Sequence, residues 1–256
     1  ETAYAAIYHL QRRGDQWYFS DRLPRPGDVA EYAYNAAGPG RNVSDPCGYA
    51  YDSNKANLFY RDPAGSLVRL NWDGASWRAS TLLAASKEAE VGSAGEPVCL
   101  YRASDKRHCL FYFSAYDTHV HALSSTDGAA WTHYDLSAMA GAAAAAGRNS
   151  LSYGAPAAYL WPHDNTLHVV YRGGDNRLYE LYCSNNSWET GWRLADLSYK
   201  TGAQLWGSPI GWSLPKDKGD KGQHIAYVGP DEHLYHAYML PGGSWKLEDL
   251  TRAVVK

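Results

Sequence analysis

Polar side chains able to hold a small hydroxylated or charged partner recur at two fixed places in this chain. One place precedes an apolar-apolar-Tyr run: Asn57 in NLFYR, His168 in HVVYR and His224 in HIAYV, with Tyr171 the tyrosine of the middle copy. The second place falls in the extended segment that follows: Arg69, His121 or Ala122, Glu180 and His236. A tryptophan then closes each copy, at Trp77, Trp131, Trp188 and Trp245. These residues bind through donors, acceptors and flat rings. Because the set recurs, several equivalent shallow sites fit it better than one reactive centre does.

Catalytic patterns are sparse by comparison. Glycoside hydrolysis needs two carboxylates flanking one bond. The acids Asp28, Asp45, Asp105, Asp164 and Asp217 carry no motif and sit mainly in turns, where Asp is expected for backbone reasons. No G-x-S-x-G, H-E-x-x-H or phosphate-binding loop occurs. His119 and His121 fall on one strand face, a spacing that two metal ligands also show, but no further ligand motif accompanies them. No metal and no cofactor is expected. The four cysteines, Cys47, Cys99, Cys109 and Cys183, form no C-x-x-C pair. Cys99 and Cys109 lie on consecutive segments, where either a hairpin disulfide or free buried thiols are compatible with the spacing.

Composition narrows the partners. The net charge of −3 with no basic run argues against nucleic acid and anionic membrane surfaces. No stretch approaches the roughly 20 apolar residues of a membrane span. The chain carries 21 Tyr and 10 Trp against 4 Phe, a bias toward rings that also offer a hydrogen bond at a half-wet position. Ordinary sheet preference for Tyr and Trp is the bland alternative. Glu1 opens the chain without Met or a signal-like apolar run, which reads as a mature or trimmed N-terminus. The location is then secreted or cytoplasmic.

The elements that position these residues follow from hydrophobic alternation. Leu167–Leu197 reads as extended segments divided by Gly-Gly-Asp-Asn and Asn-Asn turns, the pattern of an antiparallel meander. Trp17, Trp77, Trp131, Trp188 and Trp245 are separated by 60, 54, 57 and 57 residues, and the NLFYR, CLFYF, HVVYR and HIAYV tyrosines keep a similar period. Each full copy holds four short segments. Four strands and one aromatic marker per repeat is the arithmetic of a propeller blade. The expected fold is therefore all-β, a β-propeller of four-stranded antiparallel blades with about five blade positions. Residues 1–256 read as one domain, with repeats at approximately 47–83, 97–136, 155–197 and 208–250 after a half blade at 1–23. Asp73-Gly74, Asp127-Gly128, Gly173-Gly174 and Gly242-Gly243 are expected at tight hairpins. A helical turn is expected across Met139–Ala146, and residues 215–222 as a charged, solvated loop.

Second-strand x-Val-Tyr-Arg, third-strand Leu-Tyr-Glu-Leu and the Ser-Trp that follows resemble the fungal and bacterial fucose-specific lectin propellers, and related tectonin-type repeats, over residues 47–250. In that family an Arg opens the second-strand motif, a Glu sits in the third strand, and aromatic residues complete a sugar pocket between blades. By this resemblance Glu180 matches the Glu and His168 stands at the Arg position, as Asn57 and His224 do elsewhere. Trp77, Trp131, Trp188 and Trp245 match the recurring fourth-strand Trp. The chemistry is consistent: a ring covers the C–H face of a sugar, and charged or two-headed groups take paired hydroxyls. A Trp that only packs between blades is the competing reading.

The resemblance implies a non-catalytic lectin with several weak sites recognising glycans, fucosylated ones among them. Its ligand-binding residues would be His168, Glu180, Trp188, Tyr171, Asn57, Arg69, Trp77, His224, His236 and Trp245. Repetition would raise avidity on dense glycans. Expected partners are glycans or glycoproteins, with a homo-oligomer as an option and neither nucleic acid nor membrane insertion. The rivals are a five-bladed glycoside hydrolase or lyase with a central-channel site, and a protein-interaction propeller.

Overall fold

Strand alternation becomes four four-stranded antiparallel sheets and one two-stranded sheet in the computed structural model, which describes residues 9–13, 16–20, 44–62, 64–83, 93–141, 154–184, 188–214 and 219–254. Blade one comprises β3 (Cys47–Asp52), β4 (Lys55–Arg61), β5 (Leu67–Trp72) and β6 (Trp77–Leu83). Blade two comprises β7 (Ser93–Arg102), β8 (Arg107–Ser114), β9 (Val120–Ser125) and β10 (Thr132–Asp135). Blade three comprises β11 (Ala157–Trp161), β12 (Thr166–Arg172), β13 (Leu178–Cys183) and β14 (Arg193–Asp196). Blade four comprises β15 (Ile210–Ser213), β16 (Gln223–Val228), β17 (Leu234–Met239) and β18 (Lys246–Asp249). Ahead of them, β1 (His9–Arg13) and β2 (Gln16–Ser20) pair as a hairpin, the two strands expected of the half blade. Every sheet is a simple meander, each strand bonded to the next in sequence.

The first strands β3, β7, β11 and β15 adjoin one another in succession, as the inner strands of a propeller must. Each inner sheet is therefore covered on both faces. Phe59 and Leu67 of blade one meet Leu110, Tyr112 and Leu123 of blade two. Cys109, Phe111 and Ala122 on the opposite face of blade two meet Val169, Tyr171 and Leu181 of blade three. Tyr159, Val170 and Leu178 then meet Ile225, Tyr227 and Ala237 of blade four. Cover on both sides explains why β8 and β12 are buried along nearly their whole length instead of alternating between buried and exposed.

One polar device repeats at the end of blades two, three and four. The sequences Asp-Leu-Ser or Asp-Leu-Thr leave the fourth strand and start the short helices α1 (Leu136–Met139), α2 (Leu197–Thr201) and α3 (Leu250–Val254). Asp135, Asp196 and Asp249 accept from the backbone N–H three residues on, at 2.8, 2.9 and 2.9 Å, which satisfies an orphan donor of the first turn. The hydroxyls of Ser137, Ser198 and Thr251 accept from Val120, Leu178 and Leu234 N–H, tying each helix back to its third strand. The helical turn expected over Met139–Ala146 is thus set earlier, by the Asp135 cap, and 142–146 lie outside the described residues.

The Gly173-Gly174 turn is also longer than expected. Gly173 N–H donates to Arg177 O at 2.9 Å, and the left-handed residue is Asn176, at φ 65°. Gly173 is required for a different reason: a Cβ there would stand 2.5 Å from the Tyr179 ring. Cys99 and Cys109 do not face each other, because Cys99 pairs with Leu110 and Leu100 with Cys109, so adjacent positions point to opposite faces. All four thiols are free. No helix among the described residues is long and apolar enough to cross a membrane.

Candidate functional site

Cross-strand register gathers the recurring polar residues into matching slots. In blade three Tyr159 stands opposite His168, His168 opposite Tyr182, and Glu180 one step along, opposite Val170. In blade one the same places hold Tyr49, Asn57, Asn71 and Arg69, and in blade four Trp212, His224, Tyr238 and His236. Each slot therefore offers a ring from the first strand, a polar group from the second and another from the third. In blades one and three it faces the following blade.

The blade-three slot is closed and internally satisfied. His168 and Glu180 are each 4% exposed, with His168 Nδ1 donating to Glu180 Oε1 at 2.8 Å. The Tyr159 hydroxyl lies 2.9 Å from Gln223 Oε1 of blade four and 3.4 Å from Glu180 Oε1. The Tyr159 ring stacks on His168 at 5.1 Å and 5°. Burial and then the Glu180 charge push the Tyr159 phenol up, which keeps it a neutral donor.

Blade one builds its slot with blade two. Asn57 Oδ1 accepts from Arg69 Nε at 2.8 Å and Asn71 Nδ2 at 3.0 Å. On its other side, His108 Nδ1 accepts from the Tyr49 hydroxyl at 2.9 Å and Asn57 Nδ2 at 3.2 Å. Burial, then the Arg69 charge, lower His108 to a pKa of about 4, so its ring is neutral and can accept. The Arg69 guanidinium also reaches Gly128 O and lies 5.7 Å over the Trp131 ring. Tyr51 and Tyr101 add two further rings beside His108. Here a half-buried cation sits amid aromatics.

Blade four holds the most open slot. Trp212 stacks on His224 at 5.4 Å and on His236 at 5.8 Å, and His236 stacks on Tyr238 at 5.1 Å. The Trp212 side is accessible, with the residue 37% exposed, while His224 is buried and receives support from Asp220 at 3.1 Å. The Tyr238 hydroxyl donates to Glu248 Oε1 at 3.0 Å, and Glu248 lies 3.6 Å from His236. Blade two lacks the set: its corresponding places hold Leu100, Cys109 and Ala122, so register assigns the third-strand place to Ala122 and not His121.

The recurring Trp residues occupy different ground. Trp188 lies ahead of β14 and outside it, a correction of its fourth-strand placement, and is 3% exposed. It packs against Phe111, Tyr134 and Trp192, with Arg107 5.0 Å and Arg102 5.8 Å from its ring. Trp245 precedes β18 and packs on the core between blades three and four. Trp77 opens β6 and packs on Tyr60, Val68 and Leu70. Tyr171 is fully buried between blades two and three. Of the expected site residues, the register thus unites Asn57 with Arg69, His168 with Glu180, and His224 with His236. It puts Trp77, Trp188, Trp245 and Tyr171 into packing clusters.

Residue-type reasoning missed Tyr49, Tyr159 and Trp212, the rings of the first strands. A signal existed in GYAY, AYLW and GWS, each with an aromatic at the same distance from the strand start. Gln223 and His108 were not legible, since they enter from the neighbouring blade.

No protein-family model matches the chain, and no curated protein sequence matches it significantly. Solved structures do. The BP39L lectin from Burkholderia pseudomallei superposes with a TM-score of 0.64 at 14% identity, over 94% of this chain and 61% of that one. The Aleuria aurantia lectin, a six-bladed propeller described with a fucose recognition mode, gives 0.58 at 18% identity over 95% and 70%. The SapL1 lectin bound to α-methyl fucoside gives 0.56 at 13% over 94% and 71%. The chain spans about three-fifths of the length of the Burkholderia protein. Its fold is the β-propeller of these lectin structures.

Proposed function

We propose that this protein is a non-catalytic carbohydrate-binding propeller, with repeat-derived slots that recognise glycans, fucosylated ones among them. The observation that carries the reading is register: three blades bring a first-strand ring and two polar groups to equivalent places, and in blade four the Trp212 ring is open to solvent. An exposed indole covers the C–H face of a sugar, and His236 and Glu248 beside it can take hydroxyls. In blade one, Arg69 beside Trp131 offers the same pairing of charge and ring. Two of the candidate acids have other work: Asp105 is held by Arg102 and Arg107, and Asp164 caps its own turn through Thr166, while Asp28 and Asp217 lie outside the described residues. The fucose-lectin structures of the same fold support fucose within the class.

The test is a glycan array on tag-free protein, followed by calorimetry with L-fucose and other monosaccharides and an assay for released reducing sugar. Binding without release is the expected result. Release would make the protein a hydrolase, and silence on every glycan would overturn the reading.

A further inference from the structure

Blade two carries a second cluster that the sugar reading leaves unused. Asp117, His119, His121 and Asp135 each direct one ligand-type atom inward, and the four atoms lie within 4.8 Å of one another. His119 Nδ1 is 2.8 Å from Asp135 Oδ2 and 3.7 Å from Asp117 Oδ2, while His121 Nε2 is 3.0 Å from Asp117 Oδ2. The imidazoles are largely buried and the carboxylates about 30% exposed, so the cluster opens to solvent on its acidic side.

The other blades show what this frame does without ligands. Blade three has Asp175, Arg177, Tyr179 and Asp196 at the same places, with Arg177 2.7 Å from Asp196 and the Tyr179 hydroxyl 2.9 Å from Asp175. Blade four has Asp231, His233, Tyr235 and Asp249, with the corresponding contacts at 2.8 and 2.9 Å. In both, a nitrogen donor on the fourth-strand Asp (Arg177 in blade three, His233 in blade four) and a phenol hydrogen bond complete the network, and the phenol supplies no imidazole lone pair. Blade two alone among these three replaces that phenol with a histidine and so places two imidazoles between two carboxylates. It also adds His133, whose Nε2 lies 2.7 Å from His121 Nδ1. That contact is what a metal-bound imidazole needs: with Nε2 on the ion, Nδ1–H donates to an outer partner that fixes the ring.

We infer that Asp117, His119, His121 and Asp135 form a divalent-cation site, best suited to Zn2+, that staples the third strand of blade two to its fourth. Two imidazoles and two carboxylates match the borderline ligand preference of zinc, whereas calcium and magnesium favour all-oxygen sets. Tetrahedral bonds of about 2.0–2.2 Å put ligand atoms about 3.3–3.6 Å apart, so small rotations of the two carboxylates complete the geometry. The carboxylates balance the ion's charge, and each imidazole binds as the neutral ring through a lone pair, its N–H on the other nitrogen. The inference departs from the sequence expectation of no metal, because the spacing of His119 and His121 does not reveal that Asp117 and Asp135 converge on them.

The test uses Zn2+ titration calorimetry of the tag-free, chelator-treated protein, and the visible spectrum of the Co2+ form, which is intense for tetrahedral coordination. One ion per chain is expected. His119→Arg installs the residue blade three uses, which pairs with the fourth-strand Asp there, and removes a lone pair. The double variant Ser114→Gly/His121→Tyr rebuilds the blade-three pairing, in which glycine makes room for the tyrosine ring. Both should fold with the parent's circular dichroism and weaken Zn2+ by about 100-fold or more. Absence of Zn2+ binding by the parent overturns the inference. So does full-strength binding in both variants, which would move the ion elsewhere, for example to His224 and His236.

Discussion

Replacing Trp188 separates a wedge between blades from a ligand-binding ring. The indole is 3% exposed and meets Trp192 at 5.2 Å and 78°, Tyr134 at 5.8 Å and 83°, and Phe111 at 6.3 Å. Arg107 and Arg102 cover it from 5.0 and 5.8 Å. Truncation to Ala removes these contacts and leaves a cavity where two blades meet, a loss of about 4 kcal/mol. Against a total stability of about 5–15 kcal/mol that is a large share. At about 2–4 °C per kcal/mol for a chain of this size, the melting midpoint should fall by about 10 °C. The Trp188 indole N–H finds no partner among the described residues, so Trp188→Phe forfeits no hydrogen bond and should cost only about 1 kcal/mol. The assay is urea and thermal unfolding followed by circular dichroism, alongside glycan binding at a temperature where both variants are folded. If Trp188→Ala unfolds within about 1 kcal/mol of the parent yet loses sugar binding, the wedge argument fails and the ring belongs to a pocket.

Trp212→Ala is expected to behave in the opposite way, with stability changed by less than about 1 kcal/mol and blade-four sugar binding weakened at least about tenfold, read by calorimetry. Glu180→Gln keeps an acceptor for His168 and should be tolerated, whereas Glu180→Ala strands the buried His168 N–H and should cost about 2 kcal/mol in urea unfolding. Asp196→Ala removes the α2 cap and its Arg177 partner and should cost about 1 kcal/mol, with Asp196→Asn recovering the cap but not the ion pair. His108 has its pKa lowered to about 4 by burial and Arg69, with Asp127 opposing weakly. A lowered histidine means that the unfolded chain binds the extra proton. Stability is therefore full above about pH 6.5 and falls as pH drops from there toward 4. His108→Gln should flatten that window in pH-dependent melting; an unchanged slope would show that the ring is not held neutral.

The repeat and the four strands of each blade were legible in the linear sequence. They depend on local periodicity and on turn residues, which a chain carries regardless of its neighbours. Even the helix caps were written in Asp-Leu-Ser and Asp-Leu-Thr, although their meaning became clear only when each hydroxyl was seen bonded to a third strand. The site was legible in part. Asn57 with Arg69, His168 with Glu180, and His224 with His236 fall together because strand register is itself a local consequence of short hairpins. What only the tertiary structure decided was accessibility and company. Whether a tryptophan is a wedge or a platform depends on the blade beside it, so Trp188 is enclosed by Phe111 and Tyr134 while Trp212 keeps a face to solvent. Likewise Asp135 meets His119, and so joins the Asp117 and His121 beside it, only after a turn and a whole strand have folded back, and no spacing in the sequence measures that distance.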